Sequence, residues 1–139
     1  MSAKEYLGEI RRLTAVIDSY QRSIDILRSD IEGIRGISYD KDRVQSTASD
    51  STILNQIIRL EELAGKMGDV MIERAKKRAE ITSQITLMPN RNYMQILFKR
   101  YVEFKKFELI AVEMGYSYDY VRELHGQALD EFGKKYGIK

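Results

Sequence analysis

The chain has 139 residues, of which 43% are hydrophobic and 32% charged, with a single Pro, no Cys and a formal net charge of +2. That is enough for one ordinary domain, or for a small domain joined to extended helices. It excludes disulfide frameworks, thiolate chemistry and cysteine-based zinc sites.

No apolar run approaches the length of a membrane span, and the N-terminus MSAKEYLGEIRR lacks the apolar core of a signal peptide. A soluble, unexported protein with no membrane partner is expected. The weak positive charge is unevenly placed. Residues 1–89 carry fourteen basic and fourteen acidic side chains, whereas residues 90–139 carry nine and seven.

The first helix is expected over residues 3–35. Ala3, Tyr6, Ile10, Leu13, Ile17, Tyr20, Ile24, Leu27, Ile31 and Ile34 alternate spacings of three and four. This is a heptad pattern, which predicts left-handed supercoiling against a partner helix. The partner is either the next helix of the same chain, in a hairpin, or another subunit, in an intermolecular coiled coil. Gly33 or Gly36 is expected to end the helix.

Residues 36–51, GISYDKDRVQSTASDS, hold four Ser, three Asp and no helical stripe. They read as a loop that is either mobile or ordered by a partner. Ser49, Asp50 or Ser51 is positioned to cap the next helix.

A second long helix is expected over residues 51–88. Ile53, Ile57, Leu60, Ala64, Met67, Met71, Ile81, Ile85 and Met88 keep the three-four alternation, broken by Arg74 and Arg78 within ERAKKRAE. The run Arg74, Lys76, Lys77, Arg78 is either a phosphate contact or, as we favour, a solvated face whose long stems cover apolar surface. Pro89 ends the helix.

Asn90 is placed to cap a helix bearing Tyr93, Ile96, Leu97, Tyr101 and Val102, with a short turn at residues 103–106. Then comes FELIAVEMGYSYDYVRELHGQAL, residues 107–129. Ile110, Ala111 and Met114, then Gly115, then Val121 and Leu124 suit two helices crossed about a tight turn. Ala111 permits a close crossing, Gly115 supplies the positive φ, and Ser117 caps the second helix. The expected class is therefore all-α. Two long heptad-patterned helices fill residues 1–88, and a three-helix helix-turn-helix domain fills residues 89–139.

Enzymatic chemistry finds no support in the residues. His125 is the only histidine, and no G-x-x-x-x-G-K-[ST] loop occurs. Paired carboxylates such as Glu61 and Glu62 read as helix surface, and His125 itself reads as an exposed helix residue. No metal, no cofactor and no catalytic residue is expected.

MQILFKRYV, KFELIAVEMGYS and YDYVRELHGQALDEF together resemble region 4 of the sigma-70 family of transcription factors. There a bracing helix precedes the motif, and the recognition helix follows S-x-x-x-V-R-x-x-x-x-x-A-L. Ser117, Val121, Arg122, Ala128 and Leu129 stand in that spacing. With the heptads and the DRVQST tract, the whole chain is similar to the ArpU/RinA-like phage regulators.

The resemblance implies a DNA-binding regulator of phage or prophage genes, late genes especially, acting in the bacterial cytoplasm. Its partners would be double-stranded DNA, a second copy met through the N-terminal helices and, as an open question, host RNA polymerase. Tyr118, Asp119, Tyr120, Arg122 and Glu123 would face the groove, and the capping Ser117 would belong to the same DNA-binding set. His125, Gly126 and Gln127 would come near the DNA backbone.

Arg122 is the candidate for guanine or phosphate, and Asp119 or Glu123 for cytosine N4 or for orienting Arg122. Lys99, Arg100, Lys105, Lys106, Lys134 and Lys135 are candidate phosphate contacts. The tyrosines at 118 and 120 stand where sigma-like helices usually place Arg or Lys, so one copy should bind modestly. Two other functions fit the same features: a small terminase subunit in DNA packaging, and a helix-turn-helix turned to protein binding.

Overall fold

A computed structural model describes residues 1–40 and 46–139, and the side chains among them apart from those of residues 35–49. All regular structure in these residues is helical. The order is α1 (Ala3–Leu7), α2 (Glu9–Asp40), α3 (Ser46–Thr86), α4 (Arg91–Leu97), a π-helical turn (Phe98–Val102), α5 (Phe107–Met114) and α6 (Tyr118–Tyr136). No helix among the described residues is long and apolar enough to cross a membrane.

Three expectations for the first half need correction. The helix expected from residue 3 is divided at Gly8, although Gly8 N–H donates to Lys4 O and Arg12 N–H to Gly8 O, both at 3.0 Å. These bonds carry the helical pattern across the joint. Next, α2 runs through Gly33 and Gly36 to Asp40. Each glycine costs only about 1 kcal/mol relative to Ala, which a long helix with a buried stripe absorbs.

Finally, α3 starts at Ser46, so Ser49, Asp50 and Ser51 all lie inside it and do not cap it. The expected sixteen-residue loop is thereby reduced. Residues 41–45, and with them part of the DRVQST tract, lie outside the described residues.

Two compact units form, and their grouping differs from a division at residue 88. One comprises Ala15–Ile72; the other joins Met1–Thr14 to Glu73–Lys139. In the first, Ile17, Ile24, Leu27 and Ile31 of α2 are buried. Ile53, Ile57, Leu60 and Met67 of α3 are half-buried. Ala64 and Met71, expected on the apolar stripe, are exposed instead.

The discontinuous unit has the larger core. Leu7, Ile10, Ile81, Ile85, Ile96, Leu97, Ile110, Val121 and Phe132 are fully buried in it. Burying a side chain of this size contributes about 1.5–3 kcal/mol. Leu7 lies outside the heptad stripe; it is buried because α1 belongs to the same core cluster as α6.

Polar groups are tied in at the edges. Tyr6 donates its hydroxyl to Gln84 Oε1 at 2.6 Å, and Tyr136 donates to Gln84 O at 2.7 Å. The ends of this unit meet where Ala3 N–H donates to Lys139 O at 3.1 Å. Of the basic run on α3, Arg74 donates to Thr14 Oγ1 at 3.3 Å and Lys77 lies 5.3 Å from the Tyr6 ring centroid. Lys76 and Arg78 are exposed.

Candidate nucleic-acid interface

Local capping sets the position of α6. The Asn90 side chain accepts from Tyr93 N–H at 3.2 Å and starts α4. After α5 the chain turns at Gly115, whose φ of 72° is the left-handed conformation that favours glycine. Tyr116 N–H then donates back to Ala111 O at 3.0 Å, closing the helix end. Ser117 Oγ accepts from Tyr120 N–H at 3.2 Å and opens α6. Ile110 and Ala111 of α5 and Val121 and Leu124 of α6 are buried, which fixes the outer face of α6 by exclusion.

That face presents much of what the sequence suggested. Tyr118 and Tyr120 are 40% and 42% exposed. Asp119, Arg122 and Glu123 are exposed beside them. The Arg122 guanidinium lies 5.8 Å from the centroid of the Tyr118 ring. Tyr120 packs edge-on against Tyr116 at 4.9 Å, and Asn92 donates to the Tyr116 hydroxyl at 3.3 Å. Tyr120 is therefore propped from outside the helix, whereas Tyr118 meets Arg122 of α6 itself.

Other candidates are drawn elsewhere. Gln127 is exposed but accepts from the Tyr93 hydroxyl at 3.1 Å. Lys105 ion-pairs with Glu113 at 2.9 Å and Glu103 at 3.5 Å, and Lys99 reaches Glu113 at 2.8 Å. The Lys99 and Lys105 ammoniums hold the Glu113 carboxyl below its usual range, and Glu113 raises Lys105 above its own. Lys106, Lys134 and Lys135 are exposed.

His125 requires a correction. It is half-buried, with its ring 5.6 Å from Tyr101 and 4.9 Å from Phe107. Its Nε2 lies 2.7 Å from the Tyr101 hydroxyl. Burial, then the nearby Arg100 and Lys4, push the imidazole down to about 4. Burial likewise pushes the Tyr101 phenol up to about 12, against a smaller opposing effect of Arg100. Both rings are thus neutral at pH 7, and we assign the phenol as the donor to Nε2.

Beside His125 the backbone departs from the α-helix. Within the π-helical turn Glu103 N–H donates to Phe98 O at 3.1 Å. Phe104 follows with a φ of 60°, the one non-glycine positive φ among the described residues. Arg11 lies 5.1 Å from the Phe104 ring centroid and donates to Phe104 O at 3.5 Å. Arg100 lies 4.3 Å from the Phe107 ring and donates to Lys105 O at 3.1 Å.

Lys4, Gly8 and Arg11 thereby share a cavity with Arg100, Arg122, His125 and Gly126. Sequence reasoning missed Lys4 and Arg11, which lie between the positions of the heptad stripe. Their signal was the spacing of four and three about Gly8, which puts both cations and the glycine on one helical face. No protein-family model, no curated protein and no solved structure matches this chain.

Proposed function

We propose that this protein is a sequence-specific DNA-binding regulator of phage or prophage genes that reads the major groove with α6 and assembles through its long N-terminal helices. One observation carries the reading. A glycine-closed turn and a serine cap set α6 so that Tyr118, Asp119, Tyr120, Arg122 and Glu123 are exposed while Val121 and Leu124 of the same helix are buried. In this role Arg122 makes the bidentate contact to guanine, Asp119 or Glu123 accepts from cytosine, and the tyrosines meet phosphates or thymine methyls.

Selection of bound sequences from random duplex DNA tests this directly. A defined motif is expected, with specificity relaxed by Arg122→Ala at a cost of about 1–3 kcal/mol. Failure to enrich any sequence at low salt overturns it.

A second reading has its own support. Tyr116 and Tyr120 form an exposed aromatic pair, with Tyr118 exposed on the same helix end, a composition suited to a protein partner. If that reading holds, the random-DNA selection fails while a Tyr118→Ala, Tyr120→Ala variant loses its protein partner.

A further inference from the structure

The cavity behind Arg122 has a volume of about 370 Å³, within the range of small-ligand sites. Four cations line it: Lys4, Arg11, Arg100 and Arg122; no carboxylate does. None of the four makes an ion pair among the described residues, in contrast to Lys99 and Lys105 nearby. Two are held by groups that leave their charge uncancelled. Arg11 and Arg100 stack on Phe104 and Phe107 and donate to backbone carbonyls.

Gathering like charges without a counter-charge is unfavourable unless an anion offsets it. Tyr101, Phe104 and Phe107 supply an aromatic wall, and His125, Gly8 and Gly126 complete the lining. The space is several times what one phosphate group fills, and its walls suit a flat apolar ring.

We propose that this cavity binds a phosphate ester carrying a ring, of the size of one nucleotide, with the phosphate among Lys4, Arg11 and Arg100 and the ring against the aromatic wall. The proposal rests on the cavity and does not require α6 to read DNA. Two sources supply this chemistry: a free nucleotide acting as effector, or a nucleotide unit of a bound DNA. Burial first, and then the charges of Arg100 and Lys4, depress the basicity of His125 on the same wall. With the assigned tautomer, the ring's other nitrogen, Nδ1, carries the proton.

Titration calorimetry with the full chain tests both sources. Adenosine 5′-monophosphate is expected to bind, with adenosine about tenfold weaker or undetectable. Arg11→Gln and Lys4→Gln should each weaken the nucleotide about tenfold. Arg12→Gln, whose guanidinium instead pairs with Glu9 at 2.9 Å, should leave it unchanged.

Lys4 has no packing contact to lose comparable to that of Arg11 on Phe104, so its variant keeps the test valid if Arg11→Gln destabilises the fold. If the nucleotide fails to bind but both variants weaken a short duplex and each lowers the salt slope by about one, the occupant is a unit of DNA. Inorganic phosphate binding as tightly as the nucleotide overturns the role of the aromatic wall. The proposal falls if neither nucleotide nor duplex responds to Lys4→Gln.

Discussion

The Tyr101 hydroxyl and His125 Nε2 lie 2.7 Å apart, joining the π-helical turn to the middle of α6 through two neutral rings. This pairing has a consequence for pH. An ordinary histidine titrates near 6.5, whereas burial beside Arg100 and Lys4 pushes His125 down to about 4. The folded state therefore resists protonation that the unfolded chain accepts, so stability is retained above pH 6.5 and lost as pH falls from there to about 4. A full shift of this size would be worth about 1.4 kcal/mol per unit; allowing for partial exposure, about 1–2 kcal/mol is expected. Urea unfolding at pH 7 and 4.5 should show this component in the native chain and not in His125→Gln. Equal acid losses in both would contradict it.

Glu113 restrains two cations, Lys99 and Lys105. Glu113→Gln should release Lys99 and leave Lys105 only its longer pair with Glu103, increase affinity for non-specific duplex DNA and steepen its dependence on salt. Filter binding across a salt series measures this. An unchanged slope would mean that these lysines stay remote from the bound nucleic acid.

Two glycines of α6 should respond in opposite directions. A Cβ at Gly133 would lie 2.5 Å from Ile138 O, so Gly133→Ala must displace the final residues and should cost about 1–3 kcal/mol. Gly126 has open space about it, and Gly126→Ala should stabilise the helix by about 0.5–1 kcal/mol. Thermal unfolding of the pair gives both signs in one experiment.

The turn before α6 should be sensitive at both its ends. Ser117→Ala removes the acceptor for Tyr120 N–H and should cost about 1 kcal/mol. Gly115→Ala places a side chain at a φ of 72° and should cost about 1–2 kcal/mol. Chemical denaturation checks both, and a loss of DNA selectivity larger than the loss of stability would tie the turn to reading.

The second half of the chain was legible because its boundaries are set by neighbours in sequence. Asn90, Gly115 and Ser117 each announce a cap whose partners lie within a few residues. The first half was less so. Its stripe identified Ile10, Ile17, Ile24 and Leu27 as buried, but helix propagation through Gly33 and Gly36 outweighed the stop they seemed to signal.

Leu7 was invisible to periodicity because its burial depends on α6, more than a hundred residues away. The same limit hid the cavity. Nothing local to Lys4 or Arg11 announces Arg122, and nothing local to His125 announces Tyr101. Lys105 looked free in sequence because Glu113 lies eight positions on, across a turn and into α5.

Finally, the discontinuous unit has its own order of birth. Ile81, Ile96 and Phe132, which complete the core of Leu7 and Ile10, leave the ribosome only after those two and the whole of Ala15–Ile72 have been made. At ordinary synthesis rates that interval is on the order of ten seconds. For that time Leu7 and Ile10 lack the side chains that bury them in the folded chain.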